Sequence, residues 1–122
     1  MKAVFISIFT LLIAPLALAH AHLQNSEPAK GAQVKKLPNK VMLTFSENLE
    51  LTMSKIEVRR QSNQEVLSTG KIAYADSKKN VIEVALKSNE TADTYEVQWK
   101  AVGTDGHPVK GSYLFSVIPE KK

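Results

Sequence analysis

Three histidines, His20, His22 and His107, are the residues of this chain best suited to chemistry, together with Asp105 two positions before the last of them and Glu47. Imidazole is the commonest protein metal ligand, and carboxylates complete sites of intermediate hardness. A histidine alone is an ordinary loop residue of intermediate burial. Three that converge beside two carboxylates are a candidate metal centre. The sequence has no cysteine and only three methionines, Met1, Met42 and Met53. That excludes a thiolate zinc site, an iron–sulfur cluster and a thiol nucleophile, and it argues against a sulfur-rich Cu(I) site. The remaining nitrogen and oxygen donors form a tetragonal set that suits Cu(II), with zinc a rival for the same ligands.

Whether these groups meet depends first on where the mature chain begins. Residues 1–19 carry one charge, Lys2, then an apolar run from Ala3 to Leu18 interrupted by Ser7, Thr10 and Pro15, and a small-residue exit. This is the layout of a secretory signal peptide. A membrane-spanning helix needs about 20 apolar residues, and Pro15 leaves too short a clean stretch. Two processing sites compete. Cleavage after Ala19 makes His20 the terminus, and cleavage after Ala21 makes it His22; the first follows the apolar run more directly and is preferred. The processed protein is then exported and has no membrane span. Its α-amine and the His20 imidazole can chelate one ion together.

The rest of the chain must supply a frame. Residues 20–118 suffice for one small domain with a single core, followed by a short basic tail, 119–122. Apolar and polar residues alternate with the period of half-buried strands. Val41, Leu43 and Phe45 share a face of Lys40–Ser46, Ile56 and Val58 of Ser54–Arg60, and Ile82, Val84 and Leu86 of Val81–Leu86. Tyr95, Val97, Trp99 and Ala101 do so in Thr94–Val102, and Tyr113, Phe115 and Val117 in Ser112–Ile118. Weaker strands fit Leu23–Ser26 and Val66–Tyr74, the second bent at Gly70. Turn residues separate them at Glu27–Gly31, Leu37–Asn39, Gln61–Asn63, Asp76–Asn80, Lys87–Asp93 and Gly103–Gly111. The expected fold is all-β: a seven-stranded antiparallel immunoglobulin-like β-sandwich of Greek-key type.

Strand parity then locates the chemistry. If successive strands run antiparallel, the mature terminus, the connection Ser46–Met53, the Asp76–Asn80 turn and the loop Gly103–Gly111 all fall at one end. His20, His22, Glu47, Asp105 and His107 therefore gather there, on loops carried by a rigid sandwich. Two coordination modes remain open. His107 and Asp105 could face the amine and ring of His20. Alternatively the amine, two backbone amides and His22 could bind the ion locally, without His107. Ser46 and Asn48 read as organisers of a turn, and Gly106 and Pro108 as residues that fix the loop backbone.

His20-Ala21-His22-Leu23, Ser26-Glu27-Pro28-Ala29 with Gly31, Phe45-Ser46-Glu47-Asn48-Leu49, Tyr95-Glu96-Val97-Gln98-Trp99 and Asp105-Gly106-His107-Pro108, in this order and spacing, resemble the CopC family of periplasmic copper-resistance proteins. The similarity runs across essentially all of residues 20–118. The resemblance implies a seven-stranded sandwich that binds one Cu(II) per chain through His20 (imidazole and amine), Asp105 and His107, with Glu47 either on the metal or supporting its ligands. Some members add a methionine-rich Cu(I) loop. This sequence lacks it and looks like the Cu(II)-only, YobA-like subtype.

The implied role is a periplasmic carrier or buffer in copper resistance and homeostasis, monomeric, with an inner-membrane copper-uptake protein of CopD type as its partner. Two other classes compete. A copper-dependent oxidative enzyme also uses an N-terminal histidine, but it needs an open coordination position and a broad substrate face. A metal-free immunoglobulin-like interaction module is allowed by the fold alone. Nucleic-acid binding is disfavoured. The formal charge of +4 comes from scattered lysines, without a basic stripe and aromatic platforms.

Overall fold

The computed structural model describes residues 3–4, 20–87 and 92–120. Most of the expected export signal, the centre of the Lys87–Asp93 turn and the last two lysines lie outside the described residues. Eight strands are present among those described: β1 (Leu23–Glu27), β2 (Gln33–Val34), β3 (Lys40–Phe45), β4 (Lys55–Arg60), β5 (Ser68–Ala75), β6 (Lys78–Leu86), β7 (Asp93–Val102) and β8 (Pro108–Val117). They form two four-stranded sheets, ordered β1-β3-β6-β5 and β2-β8-β7-β4. No helix of the described residues is long and apolar enough to cross a membrane.

The inner faces are those that the alternation marks. Val41, Leu43, Phe45, Ile56, Val58, Ile82, Val84, Tyr95, Val97, Tyr113, Phe115 and Val117 are all buried between the sheets. The Tyr95 and Phe115 rings stack with centroids 5.4 Å apart. Each fully buried side chain of this size contributes roughly 1.5–3 kcal/mol relative to exposure. A core of this extent holds the chain without a disulfide.

Three differences from the expected strands have local causes. The eighth strand, β2, is two residues long, too short for a period of two to register. It pairs in parallel with Ser116 and Val117 of β8, so the sandwich is not wholly antiparallel. Second, β8 starts at Pro108 rather than Ser112. Gly111 reads as a turn residue in the sequence, but it sits inside the strand opposite Trp99. A Cβ at Gly111 would lie 2.2 Å from the Trp99 ring. The glycine is there because the indole fills that space. Third, β6 begins at Lys78, because Asp76 and Ser77 both take positive φ (53° and 59°). This tight turn has the twist that two-residue hairpins require.

The early starts of β6 and β8 shorten the connections at one end of the sandwich. The β7–β8 loop is reduced to residues 103–107, closed by the Val102–Pro108 rung. The start of β1, the β3–β4 connection, the β5–β6 turn and this loop lie together. Leu49 bridges Gly103, the Leu49 amide donates to the Lys79 carbonyl at 2.8 Å, and the Asn80 side-chain amide donates to the Phe45 carbonyl at 3.2 Å.

Candidate metal centre

The segment ahead of β1 is held by Ser46, the residue just beyond β3. The Ser46 amide donates to the His22 carbonyl at 2.8 Å, and the His22 amide donates to Ser46 Oγ at 2.8 Å. The same hydroxyl reaches the His20 carbonyl at 3.4 Å. Between the two histidines Ala21 is fully buried and belongs to the core cluster. The burial of Ala21 adds to the Ser46 hydrogen bonds in fixing the segment. His20 is thereby anchored next to the β7–β8 loop.

That loop is shaped by its own polar groups. Gly106 takes φ +79°, open to glycine at little cost, and its amide donates to the Gly103 carbonyl at 3.0 Å. The His107 amide donates to Asp105 Oδ1 at 3.0 Å, an Asx-type contact that turns the chain back on itself. The other carboxylate oxygen, Oδ2, lies 3.3 Å from His107 Nδ1 and 3.6 Å from His20 Nδ1. The two imidazole rings meet edge to face with centroids 5.4 Å apart. The His107 amide, and then its ring and the charge of His20, hold the Asp105 carboxyl below the usual carboxylate range against its partial desolvation.

His20, Asp105 and His107 thus each offer a ligand atom within 4.8 Å of the others. His20 Nδ1 is buried and has no hydrogen-bond partner. A buried polar atom without a partner is costly. This one faces a carboxylate and a second imidazole, the setting in which a bound cation satisfies all three. Nδ1 is also the ring nitrogen that closes a six-membered chelate with the residue's own α-amine. With metal–ligand distances of ~2.0–2.2 Å, the three atoms need only a small inward movement to share one ion.

Of the five residues singled out in the sequence, three converge here and two do not. His22 is exposed and outside the cluster. Glu47 is adjacent. A Cβ at Gly103 would fall 3.1 Å from Glu47 Oε2, 3.3 Å from Asp105 Oδ1 and 3.8 Å from Ala21 Cβ. Gly103 therefore lets two carboxylates and the anchored terminal segment approach the same stretch of backbone. Glu47 and Asp105 also line an open cleft of about 450 Å³ with Ser46, Asn48, Asn80 and Thr104. Gly103 and Ser46 were not legible as site residues. Ser46 reads as a turn organiser, yet its hydroxyl bonds across to the terminal segment 24 residues away.

The CopC domain family matches residues 23–118. The chain is 36% identical over 108 residues to Protein YobA of Escherichia coli strain K12, covering 88% of this chain and 86% of that protein. It is 36% identical over 121 residues to copper resistance protein C of Pseudomonas syringae pv. tomato, covering 93% of this chain and 94% of that one. Among solved structures it is similar to PcoC, a methionine-rich copper resistance protein from Escherichia coli, with TM-score 0.71, 31% identity, and 82% and 100% coverage. A two-sheet sandwich with histidines and a carboxylate gathered at one end, matched over nearly its whole length, places this chain in the CopC domain family.

Proposed function

We propose that the processed chain is a periplasmic copper(II)-binding protein that takes part in copper resistance and homeostasis as a carrier or buffer. One Cu(II) ion is held by the amine and imidazole of His20, by Asp105 and by His107. The observation that carries this reading is His20 Nδ1, which has no hydrogen-bond partner and faces Asp105 Oδ2 at 3.6 Å, beside the His107 ring. Copper as the cargo is supported by the copper-resistance relatives, and Cu(II) over Cu(I) by a donor set of nitrogen and oxygen with no cysteine. Glu47, beside Gly103, supports the site by holding negative charge near the ion. Copper would be exchanged with an inner-membrane protein of CopD type.

The terminal amine exists only after cleavage following Ala19, so export and site assembly are one event on this reading. The local mode through His22 is disfavoured by two contacts. It would require the His22 amide, which is bonded to Ser46 Oγ, and the amide of Ala21, whose residue is buried in the core.

The discriminating experiment is electron paramagnetic resonance of the Cu(II)-loaded processed protein beside His107→Ala and His22→Ala. A spectrum altered by the first substitution and unchanged by the second supports the site. The reverse pattern assigns the ion to the local mode. A processed protein that binds no Cu(II) is an interaction module instead.

A further inference from the structure

The lysines appear scattered in sequence, but the sheet register aligns three of them. Lys55 of β4 stands opposite Lys100 of β7, and Lys100 stands opposite Lys110 of β8. Adjacent strands are ~4.7–4.9 Å apart, so one rung carries three ammonium groups on the outer face. Among the described residues none of the three forms an ion pair. The nearest acid along β4, Glu57, is bound to Arg59 at 2.8 Å. Like charges directly opposite one another destabilise a sheet, a cost that an anionic partner would offset. The lysines border a depression of about 240 Å³ lined also by Glu57, Gln98 and Trp99. The rung lies two residues below the Val102–Pro108 pair that closes the loop of Asp105 and His107.

We infer that the Lys55–Lys100–Lys110 rung is a docking surface for an acidic strip on a partner protein. Charge complementarity identifies the partner's chemistry, and the order of charges along the strands identifies its shape. The next rung is Glu57, Gln98 and Ser112, and the one after is Arg59, Glu96 and Leu114. The lysine row is followed by Glu57 on the next rung and by Glu96, beside Arg59, on the one after, so its charge matches a linear run of carboxylates. An anionic membrane plane would meet those two glutamates as well. A partner seated on this row sits beside the metal end of the sandwich without covering it, as exchange of an ion between two proteins requires. Such contacts raise association rates and weaken as salt rises.

The test uses metal-free protein, so that it is independent of the copper site. The nitrogen-15-labelled chain is titrated with an oligoglutamate peptide at low and then physiological salt. Expected are shifts centred on Lys55, Lys100 and Lys110 that fade with salt. The triple variant Lys55→Gln, Lys100→Gln, Lys110→Gln is expected to bind about tenfold more weakly. A control of equal charge loss, Lys36→Gln, Lys78→Gln, Lys79→Gln, is expected to bind as the parent does. Equal weakening by both triple variants, or shifts spread over all lysines, overturns the proposal. So does row-dependent binding to phosphatidylglycerol vesicles that exceeds binding to the peptide, which makes a membrane the occupant.

Discussion

Ser46 and His22 exchange two hydrogen bonds: the Ser46 amide donates to the His22 carbonyl and the His22 amide to the Ser46 hydroxyl, each at 2.8 Å. The pair extends the β1–β3 ladder by one rung past Leu23–Phe45, with a side chain standing in for a backbone acceptor. It fixes the direction in which the processed terminus leaves the sheet.

Removing that hydroxyl should therefore loosen the terminus more than the fold. A hydrogen bond of this kind has a net worth of about 0.5–1.5 kcal/mol. Ser46→Ala is expected to weaken Cu(II) binding by roughly 2- to 10-fold, measured by competition with a chelator of known affinity. Ser46→Thr, which keeps the hydroxyl, should recover most of it. The Ser46→Ala copper spectrum should also gain a His22-dependent component, because the His22 amide is released.

Gly103 should be as sensitive as a ligand. A methyl group there would sit 3.1 Å from Glu47 Oε2 and 3.3 Å from Asp105 Oδ1. Gly103→Ala is expected to displace Asp105 and lower Cu(II) affinity while leaving metal-free thermal stability within about 1 kcal/mol. Calorimetry of the metal-free and loaded forms separates the two effects.

Gly111 tests the fold instead. Its added Cβ would fall 2.2 Å from the indole of Trp99, the chain's only tryptophan. Gly111→Ala is expected to cost about 1–3 kcal/mol by overpacking and to shift the tryptophan fluorescence, read by urea denaturation. Copper binding by the folded variant should be retained.

Alkaline stability should report on Tyr113. Burial pushes its hydroxyl up to about 12, against about 10 in an unfolded chain. The neutral phenol is thus favoured in the folded state. Its contribution is present in full below pH 10 and is lost as pH rises through 12. Two units correspond to roughly 2–3 kcal/mol. The parent should lose that much stability relative to Tyr113→Phe across this window, measured by denaturation at successive pH values.

Acid should release the metal by a different route. Asp105 is held below the usual carboxylate range, so it stays ionised as pH falls. The two imidazoles and the amine bind the ion only when unprotonated, so protons compete with it. Cu(II) affinity is expected to fall steadily from pH 8 to 5. A flat profile would remove these nitrogens from the ligand set.

The parts of this structure that follow from short-range pattern were legible in the sequence. Alternation at Val41, Leu43 and Phe45, and from Tyr95 to Ala101, marks the inner faces. Strand parity alone brings His20, Asp105 and His107 to one end. What was not legible depends on register between distant segments. The β2 strand has no period of its own and exists because β8 runs beside it. Gly111 is a strand residue only because Trp99 lies across it. Ser46 acts on a segment that local turn chemistry does not reach, and Lys55, Lys100 and Lys110 form a row only once three strands are paired. Glycine and serine carry turn signals by default, and tertiary contacts overrode both.

The proposed copper site requires His20 to be the first residue. The most direct measurement compares Cu(II) affinity of the chain starting at His20 with that of a chain retaining Ala19 before it. Acylating the amine removes one ligand and its chelate ring, and affinity should fall by at least about 100-fold, close to 3 kcal/mol. Equal affinity in the two forms would show that the amine does not bind the metal, and would contradict the proposed site at its centre.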